Sequence, residues 1–153
     1  MFSCERAGVE AGYFVLAVFQ NEEVLRLKGV IGMHAELKEE IQSGLVSAEV
    51  VFLRTYMGEE VATVSAEAAG TTVTIRVTCV LPPAERHLAS GEEGFNLLSK
   101  LKTEIMARAE PLQKALIETL ANTKVTGIHW SFRVDTGECI KIFTLSEDLD
   151  AAF

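Results

Sequence analysis

The chain is poor in cysteine and histidine, and neither residue is clustered. Cys4, Cys79 and Cys139 lie far apart with no Cys-x-x-Cys pair, and His34, His87 and His129 are equally scattered. Metal sites need ligands at short, repeated spacings, so no metal centre is expected, and the odd cysteine count fits buried, reduced thiols of a cytoplasmic protein. Basic residues are also short: 14 Lys and Arg stand against 22 Asp and Glu, a net charge of −8. An acidic surface is repelled by phosphate backbones and by anionic lipid, which removes nucleic acid and direct membrane docking from the expected partners. The longest apolar run, residues 11–19, is too short to span a bilayer, which takes about 20 residues. Glu5 and Glu10 accompany Arg6 before it, and no small-residue cleavage site follows, so it does not read as a secretory signal. G-x-S-x-G, H-E-x-x-H and a phosphate-cradling glycine loop are missing; Gly91-Glu92-Glu93-Gly94 puts acids where a phosphate needs bare amides. No enzyme and no cofactor are expected.

What is present is an ordinary globular composition, 48% apolar and 24% charged over 153 residues, enough for one domain with a sizeable core. Residues 1–32 have two readings. They form a strand hairpin, Tyr13–Phe19 and Glu23–Val30 about Gln20-Asn21, or they precede a true start at Met33. The second reading arises because Lys28-Gly29-Val30 can be encoded by a purine-rich, ribosome-binding-like run at a suitable distance from Met33. Residues 33–153 then form a single domain.

Met33–Tyr56 predicts an amphipathic helix, with Leu37, Ile41, Leu45, Ala48 and Phe52 on one face and Lys38, Glu39, Gln42 and Glu49 largely off it. Val61–Glu67 and Thr72–Leu81 predict a hairpin. Val73, Ile75, Val77, Cys79 and Leu81 point one way; Thr72, Thr74, Arg76 and Thr78 point the other. Pro82-Pro83 stops the second strand, and Pro83 can open a short helix with Glu85 in its favourable first turn. Ser90, with Glu93 three residues on, has capping-box spacing for a long helix over about 92–120. Phe95, Leu98, Leu101, Ile105, Leu112, Leu116 and Leu120 track its apolar face, and Pro111 kinks it or starts a new helix. Val125–Val134 and Glu138–Leu145 predict a second hairpin about Asp135-Thr136-Gly137, and Ser146–Phe153 an acidic, frayed end. The expected fold is α+β: a two-layer sandwich with a four-stranded antiparallel sheet made of two hairpins, and a long and a shorter helix on one face.

Two groups of side chains are candidate binding residues. Glu85-Arg86-His87 follows the double proline, and Glu85 is the residue placed to touch a ligand there. Arg76, His129 and Arg133 fall on polar strand positions, where together they would form a basic patch for a carboxylate, bicarbonate or phosphate. Against this, nearby acids such as Glu67, Asp135 and Glu138 are available to neutralise them. Trp130 reads as a core anchor. Cys139 neighbours Lys141 at strand spacing, but a buried strand thiol is expected to be inert.

From Met33 to about Asp148 the chain resembles a family of small bacterial proteins described as the MpsC-like component of a sodium-translocating membrane-potential-generating system. The residues that carry the resemblance are the strand ending in Val80-Leu81-Pro82-Pro83-Ala84-Glu85, similar to the family's L-T-P-x-E turn, then Pro111-Leu112 followed by Leu116-Ile117-Glu118. Val125 and the closing Ile142-Phe143-Thr144-Leu145 complete it. Members of the family begin near Met33. Met57-Gly58-Glu59-Glu60 stands where they have a Gly-Arg-Gly-Pro-like stretch, and Gly91-Glu92-Glu93-Gly94 replaces a Gly-Arg pair. The resemblance implies a soluble, cytoplasmic accessory or regulatory protein of a membrane ion or inorganic-carbon transport system, with a transporter subunit as partner. The alternative is a small-anion or metabolite-binding module on the polar sheet face. A homodimer hiding one sheet edge is expected in either case.

Overall fold

The computed structural model describes residues 34–151, with side chains from Lys38 onward. Both readings of residues 1–32 lie outside the described residues. The elements are α1 (His34–Thr55), β1 (Glu60–Ala69), β2 (Thr72–Val80), α2 (Pro83–Ala89), α3 (Glu92–Ala121), β3 (Val125–Phe132) and β4 (Glu138–Leu145). The strands form one antiparallel sheet in the order β1-β2-β4-β3. Two local hairpins are therefore joined through their second strands, which gives the expected α+β architecture.

Strand alternation sorts the sheet into two faces. Ala68, Val73, Ile75, Val77, Phe143 and Leu145 are buried with Leu45, Phe52, Leu112 and Leu116 of the helices in one core. On the opposite face the register lines up Ser65, Arg76, Ile140 and Ser131 in one row, and Glu67, Thr74, Ile142 and His129 in the next. Helix α1 lies along the edge strand β1, where Gln42 Oε1 accepts the Ala68 amide at 3.0 Å. That amide is an outward-facing donor of an edge strand, and the side chain satisfies it. The polar residues of α1 are thus not all turned to water, and Glu49, expected off the apolar face, is 2% exposed.

Helix α3 differs from expectation at its N-cap and along its apolar face, and no new helix begins at Pro111. It runs unbroken through Pro111; the carbonyl that loses its donor belongs to Ala107, an exposed residue that water can reach. Its N-cap is Gly91 without a side-chain cap, because the Ser90 hydroxyl donates to the His87 carbonyl at 2.6 Å and completes the end of α2 instead. Its apolar face is only partly used: Leu98, Leu112 and Leu116 are buried, but Leu101 is 51% exposed. Helices α2 and α3 approach so closely that a Cβ on Gly94 would stand 2.0 Å from the Leu88 carbonyl oxygen, so glycine is required there.

The second hairpin is shorter than its sequence suggests. Strand β3 ends at Phe132, and the Arg133–Gly137 turn closes with the Gly137 amide donating to the Arg133 carbonyl at 2.9 Å. The C-terminal segment is not frayed over 146–151. Leu149 is 5% exposed in the core, its amide donates to the Gly70 carbonyl, and Asp150 binds both the Gly70 amide and Lys38. One buried leucine and the amides of the β1–β2 turn outweigh the acidic composition that suggested fraying.

Candidate functional site: a sulfur-lined cavity below the double proline

At the end of the sheet where β2 runs into Pro82-Pro83, the helices and strands do not meet completely. A cavity of about 60 Å³ remains there, lined chiefly by apolar side chains, including Leu53, Val77, Leu98 and Phe132. Four sulfur-bearing side chains, Met57, Met106, Cys79 and Cys139, share its wall. The space is enough for a few waters or one small molecule. It adjoins a surface groove of about 470 Å³ between Met57–Glu60 and Val80–Pro83.

Glu59, Glu85 and Lys102 line both spaces and so stand where they meet. Lys102 is bonded to Glu59, and its Nζ lies 3.5 Å from Glu85. Partial burial pulls the Lys102 pKa down, but the hydrogen bond and charge of Glu59, then those of Glu85, outweigh it, and the net shift is upward. Lys102 is therefore held as an ammonium between the two carboxyl groups.

The two thiols lie on the helix-facing side of β2 and β4. Cys139 pairs with Val77, and the Cys79 amide donates to the Gly137 carbonyl, which sets the cysteines diagonally across adjacent strands. Burial, followed by the charge of Glu59, pushes the Cys79 thiol up to about 11. Burial does the same to Cys139, also to about 11, against the pull of Lys141. Both are protonated at neutral pH and poor nucleophiles, as expected for strand cysteines.

Deeper in the cavity wall lies a polar cluster that sequence reasoning missed. Lys141, 1% exposed, is ion-paired with Glu49 and donates to Gln113 Oε1 at 3.2 Å, while Gln113 Nε2 donates to Glu49 Oε2 at 3.1 Å. The ammonium also stands 5.0 Å from the Phe52 ring centroid. Strand alternation was a usable signal, because Lys141 shares its phase with Cys139, Phe143 and Leu145. Its partners come from two different helices, and no sequence pattern announces them.

The four candidate binding residues are not brought together. Glu85 and Arg133 line the cavity. Arg133 forms a two-pronged contact with Asp135, at 3.1 and 2.8 Å, which raises its own pKa and lowers that of Asp135. Arg76 and His129 are exposed on the opposite sheet face, two strands apart, which is roughly 10 Å at the usual strand spacing. Ile140 and Ile142 lie on the strand between them. Trp130 is half-buried and donates through Nε1 to Glu110 Oε1 at 3.0 Å, so it anchors β3 to α3. Among the described residues no group of three or more His, Cys, Asp or Glu is placed to hold a metal ion, and no helix is long and apolar enough to cross a membrane.

The family description "Na+-translocating membrane potential-generating system (MpsC)" matches residues 35–147. The chain belongs to the MpsC family. The match takes in α1 to β4 whole but for the first residue of α1, together with the cavity and the double proline that the sequence resemblance singled out. No curated protein and no solved structure matches the chain significantly. Membership in the MpsC family links the chain to a membrane-potential-generating, Na+-translocating system.

Proposed function

We propose that this protein is a non-enzymatic accessory or regulatory component of a membrane ion or inorganic-carbon transport system, cytoplasmic and held near the membrane by a protein partner. Its MpsC membership carries the reading. The chemistry of the cavity is compatible with a non-catalytic role. Lys102 is committed to Glu59 and Glu85, Lys141 to Glu49, and Arg133 to Asp135, while both thiols stay protonated. A lysine held as an ammonium has no free electron pair for attack or proton abstraction, and a protonated thiol is a weak nucleophile. The test is deletion of the gene in its native cell, with membrane potential followed by a voltage-sensitive dye as external Na+ is varied. A Na+-dependent defect, restored by the wild-type chain, is expected. An unchanged potential at every Na+ concentration, with the chain absent from affinity-purified transporter complexes, overturns the reading.

A second reading, an anion-binding module on the open sheet face, has one observation in its favour: Arg76 has no acidic partner among the described residues. It predicts that phosphate or bicarbonate raises the melting temperature and that Arg76→Ala abolishes the rise. No rise in the wild-type protein removes it.

A further inference from the structure

We propose that the exposed leucine ridge on the first half of α3 is the two-fold interface of an antiparallel homodimer of this chain. Among the described residues, Leu97 and Leu101 are the most exposed of the large hydrophobics, at 61% and 51%. They stand four residues apart, so they are neighbours on one helix surface, and half-buried Ile105 continues the line by the same step. Such a row is the ridge that packs against its like in helix pairs.

The ridge exists because α3 outruns the layer beneath it. Its 30 residues extend about 45 Å at helical rise, whereas strands of 8 to 10 residues reach about 26–34 Å. The second half of α3 is covered by α1 and the sheet, while the first half has α2 and the cavity on one side only. The apolar periodicity nevertheless continues into that first half. This is why Leu101 and Ile105 read as core positions in the sequence.

A second copy fits the ridge by charge. Along it run exposed Glu93, Lys100, Glu104 and Arg108, in sign order minus, plus, minus, plus. Reversed, the order is opposite at every place. With a two-fold axis near Leu101, Glu93 faces the partner's Arg108 and Lys100 faces the partner's Glu104. A parallel pairing would set like against like. Helix α1 lies along edge strand β1, which leaves β3 as the edge that the expected sheet-edge dimer would use; the ridge differs in carrying a self-complementary charge order. A ridge of three apolar side chains on one helix makes a limited contact, so the dimer should be concentration-dependent.

Sedimentation equilibrium on the full chain tests this, independently of any role in transport. A mass of twice 16.7 kDa is expected at high micromolar concentration, falling towards the monomer on dilution. Leu101→Asp should weaken association at least tenfold with an unchanged circular dichroism spectrum. Lys100→Glu should weaken it, and Lys100→Glu combined with Glu104→Lys should restore it, an effect that a merely structural role would not produce. In a Cys4→Ser background, Leu101→Cys should cross-link to itself under mild oxidation. A monomer at all concentrations, a dimer indifferent to Leu101→Asp, or a charge reversal without rescue overturns the proposal.

Discussion

Lys141 illustrates how one side chain can be committed by its surroundings. Its ammonium is sealed beneath α1 and α3, and its partners Glu49 and Gln113 come from those helices. A buried ion pair contributes little net stability over a well-packed apolar pair, but removing one partner leaves an uncompensated charge. Lys141→Met should therefore cost about 3–5 kcal/mol in urea unfolding. Lys141→Met combined with Glu49→Leu should recover most of that loss. A single variant within about 1 kcal/mol of wild type would show that the pair is not sealed from solvent. The cluster illustrates the limit of pattern reading: alternation places Lys141 inward, yet only the tertiary arrangement brings an acid to it.

Among the elements, the second hairpin is held in place at its turn. Gly137 has φ 77° and its carbonyl accepts the Cys79 amide, so the turn is seated against the end of β2. A Cβ there would stand 2.2 Å from the Cys79 carbonyl oxygen. Gly137→Ala combines the left-handed strain of about 1–2 kcal/mol with this clash and should exceed that range in thermal or urea unfolding. Gly137→Asn, which tolerates the backbone angle better, should be no milder, because the steric conflict is the same. Asn clearly better than Ala would mean that β2 yields easily at this point. The turn itself was legible from Asp135-Thr136-Gly137. The boundaries were less so: Val134 is buried in a satellite cluster with Ala89 and Leu98, yet lies beyond β3. Apolar character signals burial, not ladder pairing.

For the molecule as a whole, the C-terminal segment ties the two ends of the domain together. Asp150 binds Lys38 of α1 at 2.9 Å and the Gly70 amide of the β1–β2 turn at 2.8 Å. The hydrogen bond from Lys38, then that from Gly70, holds its carboxyl below the usual value of 3.8. A carboxyl depressed in the folded state stabilises above its unfolded pKa, and the contribution is lost as pH falls through the folded one. Asp150→Asn should therefore be less stable than wild type at neutral pH, and the two should converge as pH falls through the lowered Asp150 pKa. Faster hydrogen exchange at Gly70 in the variant would locate the effect; identical stability at every pH would show that Leu149 alone secures the segment.

The sequence by itself determined the element order, the two hairpins and the inward phase of each strand. These depend on turn residues and on periodicities of 2 and 3.6, which are local properties of the chain. It also carried the family kinship, through the double proline and the motifs after it. Tertiary structure alone decided that β2 and β4 are the joined strands, that Glu85 and Arg133 face the cavity while Arg76 and His129 face away, and that Lys141 meets Glu49. Those outcomes depend on which distant surfaces come into contact, and contact across 28 to 92 residues of chain leaves no period to read.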